Sequence, residues 1–222
     1  DPRTMDPYQV AVIIGSGIGG IITLSQQYDV LRERGPGRVS PFLIPMMLAD
    51  MSLAQVSMVT GAMGANYCPV SSCSSGADAL GQGWDIVRRG QHDVVLAGGS
   101  EAPIYPIAVA GFNALRALSR FNEDPQRASR PFDLRRDGFV IGEGAAVLVL
   151  ESEKSAQKRG AQALGEVKGY GATSDAHHLT EPGPAGQSAA TAMRMALHTA
   201  GLDPSEVDYL NAHGTSTPLN DR

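Results

Sequence analysis

Cysteine is scarce in this chain: 222 residues contain two, Cys68 and Cys73. That excludes a disulfide framework and a cysteine-based zinc site, and leaves the cytoplasm as the default compartment. Long apolar runs are missing as well. None approaches the roughly 20 residues that cross a bilayer, so no membrane segment is expected. No secretory signal peptide is visible, and the chain opens Asp1-Pro2-Arg3-Thr4-Met5. Positive charge is also short. The formal net charge is −5, which argues against a general nucleic-acid binder. What remains is 42% hydrophobic and 18% charged, the balance of an ordinary globular protein rather than a disordered one. The length suits one large domain or two small ones.

Strand and helix patterns alternate along the chain. Val10 to Ile14 reads as a buried strand and Ile21 to Arg34 as a helix stopped by Gly35-Pro36-Gly37. Leu48 to Val59 reads as a Met-rich helix. Asp93 to Ala97 reads as a strand closing in a glycine turn, Gly98-Gly99-Ser100-Glu101. Ile107 to Leu118 reads as a helix, Phe139 to Glu151 as β-rich, and Glu153 to Arg159 as a short charged helix. Leu164 to Tyr170 and Val207 to Asn211 read as strands on either side of a helix over Ser188 to Ala200. The alternation predicts an α/β protein with a mostly parallel sheet, whose sites lie beyond the carboxyl ends of the strands.

The stretch that organises the rest is Val70-Ser71-Ser72-Cys73-Ser74-Ser75-Gly76. It reads as a strand, a tight turn and a helix start, the helix presenting Leu80, Trp84 and Val87 on one face. A cysteine there meets free backbone N–H groups and the positive end of the helix dipole. Both favour a thiolate, and the same N–H groups suit an oxyanion. Cys73 is therefore a candidate nucleophile, against the plainer reading of a buried structural cysteine. His213, also just past a strand pattern, pairs with it chemically, and such a fold could bring both to one mouth. The plainer reading of His213 is a hydrogen-bonded structural histidine. Thr215 and Thr217 alternate, which turns both hydroxyls to one side, where they suit an amide-rich substrate arm.

Other motifs carry less. Gly15-Ser16-Gly17-Ile18-Gly19-Gly20 follows a strand and fits a dinucleotide-binding fingerprint. The segment after the next helix, however, has no acidic residue for a ribose, so a glycine turn for close backbone approach is the simpler reading. Arg32, Arg34 and Arg38 form either a solvated face or a landing site for an acidic partner. Ser129-Arg130-Pro131-Phe132-Asp133 and Arg135-Arg136-Asp137-Gly138-Phe139 read as a loop fixed by ion pairs. The adjacent His177 and His178 make a poor chelate, and no metal site is expected.

Together these stretches resemble the β-ketoacyl-[acyl carrier protein] synthases, elongating condensing enzymes of thiolase-like fold. The resemblance rests on the glycine turn, Ser40-Pro41-Phe42, the Cys73 stretch and Ala97-Gly98-Gly99-Ser100-Glu101. It continues through the two arginine-rich groups, Ser174-Asp175-Ala176-His177-His178 and Asn211-Ala212-His213-Gly214-Thr215-Ser216-Thr217-Pro218. It implies an αβαβα layered sandwich, with residues 1–160 holding most of the first half and 161–222 the opening of the second. It implies a decarboxylative Claisen condensation in fatty acid elongation, with no metal or nucleotide cofactor. Cys73 would accept the acyl chain and His213 would assist decarboxylation. Thr215 and Thr217 would bind the phosphopantetheine arm, with Thr180 bordering its entry. Ile18 and Phe112 would line the acyl pocket, and Phe139 would stand beside the reaction centre. Arg38 and Arg116 would contact the acidic carrier protein. A homodimer is implied as well.

Members of that family are roughly twice this length. Their second histidine, a lysine and a phenylalanine gate are expected downstream of Arg222, so condensing activity is not expected of this chain alone. Three rivals differ in class. One is a polyketide ketosynthase or another thiolase-like condensing enzyme. The second is a non-catalytic partner subunit that shapes chain length, which Cys73 argues against. The third is a dinucleotide-binding oxidoreductase resting on Gly15 to Gly20.

Overall fold

The computed structural model describes residues 2–221. It divides into two compact units, Asp1–Tyr105 with Gly142–Val167, and Pro106–Ile141 with Lys168–Arg222.

The first unit is built on a four-stranded sheet in the order β2-β1-β3-β4. Its strands are β1 (Val10–Gly15), β2 (Asn66–Tyr67), β3 (Val94–Glu101) and β4 (Gly144–Glu151). β1 runs parallel to β2 and to β3, with Val10 beside Val94, while β4 is antiparallel to β3. The helices of this unit are α1 (Ile21–Arg34), α2 (Leu43–Met47), α3 (Met51–Thr60) and α4 (Ser75–Arg88). The second unit contributes α5 (Pro106–Ala114), α6 (Glu153–Lys158) closes β4 in the first, and α7 (Gln187–Ala200) lies in the second.

β1 is buried along its whole length, and its period of two sorts the core into two layers. Val10, Val12 and Ile14 join Val94, Leu96 and Leu53 of α3. Ala11 and Ile13 join Val95, Ala97, and Ala79 and Ile86 of α4 on the other side. The sheet is thus covered by α3 on one face and α4 on the other, and burying Leu53 contributes about 2 kcal/mol.

Of the large residues expected on the inner face of α4, Leu80 and Val87 pack against the Ala11 and Ile13 layer, but the most buried positions are held mainly by smaller ones. Ser75, Ala79, Gly83 and Ile86 face inward, whereas Trp84 lies under the guanidinium of Arg88 at 4.7 Å. Small residues win because the helix sits close to the strands. A Cβ at Gly83 would already lie 3.1 Å from the Ala97 Cβ. Gly98 to Glu101 likewise continue β3 instead of turning, since Gly98 passes so close to β4 that a Cβ would overlap the Ala146 carbonyl oxygen. Between Phe139 and Glu151 the strand itself begins only at Gly144, and Phe139 makes an isolated bridge to Leu118.

The Met-rich segment read as a helix over Leu48 to Val59 is α3, which starts at Met51, and a separate short helix, α2, precedes it and takes in Pro45. The stretches 164–170 and 207–211 are irregular rather than strands. Apolar alternation reports a two-faced segment, but a strand also needs a neighbour in register. Gly169 and Gly171 instead lie against α7, where side chains would overlap the Ala196 and Ala192 carbonyls. Among the described residues, no helix is long and apolar enough to cross a membrane.

Candidate active site

Cys73 lies at the centre of a single 3-10 turn, Ser72–Ser74, which leads directly into α4. No strand enters this turn: β2 ends at Tyr67, and Val70 is exposed. Ser72 has a φ of 55°, a left-handed backbone that a non-glycine residue adopts at a cost of about 1 kcal/mol. Such outliers persist only where surrounding bonds hold them. Here the Ser75 hydroxyl accepts from the Ser71 N–H at 2.9 Å and donates to the Ser72 carbonyl at 2.7 Å. Asp78, one turn into α4, accepts from the hydroxyls of Ser71 and Ser74. The thiol-bearing residue is exposed at the start of a helix whose first N–H groups lack intrahelical acceptors.

The two cysteines therefore differ. Cys68 is half-buried, its thiol donates to the Ala49 carbonyl at 3.5 Å, and burial pushes that thiol up. It is the structural cysteine of the pair.

The glycine turn after β1 carries Ile18, which is exposed. Its amides are already taken. The Glu101 carboxylate accepts from the Gly17 and Ile18 N–H groups at 2.6 and 3.0 Å. A pyrophosphate would need those same donors, so the dinucleotide reading loses its site. The turn is tight because α2 packs on it: a Cβ at Gly20 would overlap the Met46 carbonyl oxygen. Arg38 ends the 3-10 turn after α1 and is exposed, as are Arg32 and Arg34.

In the second unit, His213 is exposed and Gly214 and Ser216 both have left-handed backbones. Thr215 and Thr217 come together with hydroxyl oxygens 2.8 Å apart. The alternation placed them on one side, but a tight turn rather than an extended segment does it. Ser216 is buried, and its hydroxyl accepts from the Arg130 N–H at 3.2 Å while its carbonyl accepts from the Gly138 N–H at 3.0 Å. Asp221 accepts from the N–H groups of Ser216 at 3.0 Å and Phe132 at 2.8 Å. Burial pushes the Asp221 carboxyl up, but hydrogen bonds from Asn220, Phe132 and Ser216 and the nearby Arg136 outweigh it and hold it below its ordinary range. Arg136 also donates to the carbonyls of Thr217 and Pro218. Arg130 pairs with Asp137 at 3.2 Å, as an ion-paired loop requires, and stacks over Phe121.

Phe112 and Phe139 meet edge to face, centroids 5.2 Å apart. Arg116 follows α5 and is exposed, with a φ of 56°. Thr180 is exposed on a loop where its N–H donates to His178 Nδ1 at 3.2 Å. Among the described residues no group of three His, Cys, Asp or Glu side chains is placed to hold a metal. Sequence reasoning missed both Asp78, although it stands at helical spacing from Ser74 and Ser71, and Asp221, whose N–H donor Phe132 is 89 residues away and follows no periodic rule. For Asp221, the polar loop at 129–139 was the available signal.

The site can now be set beside known proteins. The sequence matches the beta-ketoacyl synthase N-terminal domain over residues 1–156 and the C-terminal domain over residues 164–222. It is 50% identical to a 3-oxoacyl-[acyl-carrier-protein] synthase 2 of Staphylococcus aureus, covering 96% of this chain and 53% of that protein. A Synechocystis synthase of the same name is 48% identical, with 96% and 51% covered. Among solved structures, a type II polyketide ketosynthase in complex with its acyl-carrier protein superposes with a TM-score of 0.94 at 35% identity, covering 100% of this chain and 56% of that one. A β-ketoacyl synthase from Burkholderia phymatum gives 0.86 at 36%, with 96% and 52% covered. The chain thus spans about half the length of the relatives it matches. Two domain matches in the same order, over nearly every residue, leave one assignment: the chain belongs to the β-ketoacyl synthase family.

Proposed function

We propose that this chain carries the acyl-accepting centre of a 3-oxoacyl-[acyl-carrier-protein] synthase of fatty acid elongation. The observation that carries the reading is Cys73, exposed on a held, left-handed turn at the start of α4. The Cys73 thiolate attacks the thioester carbonyl of an acyl-phosphopantetheine arm. The C–S bond to the arm breaks, and the arm's sulfur leaves with the electron pair and takes up a proton. Helix-start N–H groups stabilise the tetrahedral oxyanion. Malonyl-carrier protein then loses carbon dioxide, and the electrons of the broken C–C bond form an enolate. The enolate carbon attacks the Cys73 thioester, a C–C bond forms, and the thiolate is regenerated.

His213 donates its Nε2–H to the developing enolate oxygen, as a neutral imidazole can. Thr215 and Thr217 hold the amides of the pantetheine arm, whose entry Thr180 borders. Ile18 and Phe112 line the acyl chain, and Phe139 stands beside the reaction centre. Arg38 and Arg116 receive the acidic carrier protein. The reaction takes place in the cytoplasm, in a homodimer, and without a metal or nucleotide. Residues 1–160 form most of the first half of the family fold and 161–222 the opening of the second.

The chain by itself does not condense. Val147, Leu148 and Val149 of β4 stand 40%, 52% and 59% exposed on an outer strand of the sheet, apolar surface of a kind that another segment normally covers. Steady turnover of malonyl-carrier protein by the chain alone would overturn this.

The test of the acyl-accepting centre is intact mass after incubation with acyl-carrier protein. A single acyl adduct is expected, absent in Cys73→Ala. No adduct on a folded chain continued by the C-terminal remainder of a Staphylococcus aureus relative would overturn the reading. Polyketide extension is the second reading, favoured by the high superposition on a polyketide ketosynthase. Transfer from a polyketide-loaded carrier in preference to a saturated acyl carrier would select it.

A further inference from the structure

The turn that carries Ile18 is closed by a side chain from another strand. Glu101 is the last residue of β3. Its Oε2 accepts from the N–H of Gly17 at 2.6 Å and of Ile18 at 3.0 Å, and its Oε1 accepts from the Ser16 hydroxyl at 3.2 Å. The Ser16 oxygen accepts in turn from the Gly19 N–H at 3.0 Å. Four consecutive residues are thereby tied to one carboxylate. N–H bonds to an ionised acceptor are short and about twice as strong as neutral ones.

The same turn leans on the Cys73 turn. A Cβ at Gly17 would lie 2.9 Å from Glu101 Oε2 and 3.3 Å from the Ser72 carbonyl oxygen. Two residues before Glu101, β3 also passes under α4: a Cβ at Gly99 would lie 3.2 Å from the Gly76 Cα. One strand end therefore touches the start of the helix behind Cys73 and anchors the loop that carries Ile18.

We propose that Glu101 is a positioning residue that fixes how far Ile18 stands from Cys73, and thereby which acyl chain lengths the thiol accepts. This rests on the reading of Cys73 as acyl acceptor and Ile18 as part of its chain pocket. A carboxylate with both oxygens engaged sets the orientation of the turn as well as its presence. Displacing Ile18 by the length of one methylene is enough to move a chain-length cut-off, since one methylene is worth about tenfold or more in discrimination.

The test uses the chain as it is and N-alkylmaleimides of rising alkyl length, with Cys73 labelling followed by peptide mass. The native chain is expected to show a break in rate at one length. Glu101→Ala is expected to flatten the long-to-short ratio by about tenfold. Glu101→Gln keeps a carbonyl oxygen for both N–H groups but loses the charge and the acceptor for Ser16, so its ratio is expected to fall between those of the native chain and Glu101→Ala. Amide exchange at Gly17 and Ile18 should accelerate in Glu101→Ala and to a smaller extent in Glu101→Gln. An unchanged ratio in Glu101→Ala, or equal slowing at every length, would overturn the proposal. Should Glu101→Ala fail to fold, Glu101→Asp, one methylene shorter in reach, is judged by the same ratio. Failure of acyl transfer from carrier protein with the maleimide pattern intact would count against the proposed function alone.

Discussion

The hydroxyl oxygens of Thr215 and Thr217 stand 2.8 Å apart across Ser216, whose backbone is left-handed with a φ of 67°. Each threonine is thus the other's partner, and under the proposed function the pair would offer the substrate arm a shared donor and acceptor. Thr215→Val and Thr217→Val should each raise the acyl-pantetheine concentration for half-maximal Cys73 acylation, by about 1 kcal/mol apiece. Because they act on one hydrogen bond, the double variant should fall short of the sum. A double-mutant cycle on acylation rates checks this, and strict additivity would separate the two roles.

Asp221 makes the same turn sensitive to acid. Its folded-state carboxyl lies below the ordinary value of 3.8, so its stabilisation is complete above that value and is lost as pH falls through the lower, folded one. Amide protection at Ser216 and Phe132, its two N–H donors, should drop as the solution is taken below about pH 4. In Asp221→Asn the protection should be lower at neutral pH and flat through the acid range. Hydrogen exchange against pH reads both, and an identical acid profile in the variant would remove Asp221 from the account.

Local signals proved legible where one residue type has one physical use. α1 runs from Ile21 to Arg34 and ends at Gly35, and α7 ends at Ala200 before the left-handed Gly201, as their spacing and glycines indicate. The helix start after Cys73 was legible for the same reason, whereas the strand read before it is absent and the threonine segment, read as extended, is a tight turn. What escaped was set by distant packing. Gly98 and Gly99 look like a turn in sequence and are strand in the molecule, because only β4 and α4 demand their missing side chains. Glu101 was legible as a motif letter and illegible as a ligand of the Ile18 turn, 83 residues away.

Arg116 sits where glycine is preferred. At the end of α5, the Ala117 N–H reaches the Phe112 carbonyl and the Arg116 N–H reaches the Asn113 carbonyl, the paired bonds of a Schellman cap with Arg116 at its left-handed position. Arg116→Gly should therefore stabilise the unit that holds α5 by about 1 kcal/mol. If the arginine is kept there to meet an acidic carrier protein, the same variant should weaken carrier binding. A rise in thermal midpoint together with a rise in carrier Kd is the expected pair. A rise in midpoint alone would mean that Arg116 does not touch the carrier.

Gly15 is the close-approach position on which the Cys73 turn depends. It ends β1, which is held on both sides by parallel neighbours, so it cannot yield. A Cβ there would overlap the Ser75 carbonyl oxygen and lie 2.8 Å from the Ser75 Cβ. Ser75 is the residue whose hydroxyl closes the turn onto Ser71 and Ser72. Gly15→Ala should therefore cost about 2–3 kcal/mol in stability, in the range of core overpacking. It should also alter Cys73 labelling even where the fold survives, because the helix start must shift to make room. Gly37 has nothing within 4 Å of an added Cβ, so Gly37→Ala should stay within about 0.5 kcal/mol of the native chain. Denaturant unfolding with parallel thiol labelling distinguishes the two substitutions. Equal behaviour would mean that β1 and α4 have slack at their contact, and that the Cys73 turn is held by its serines alone.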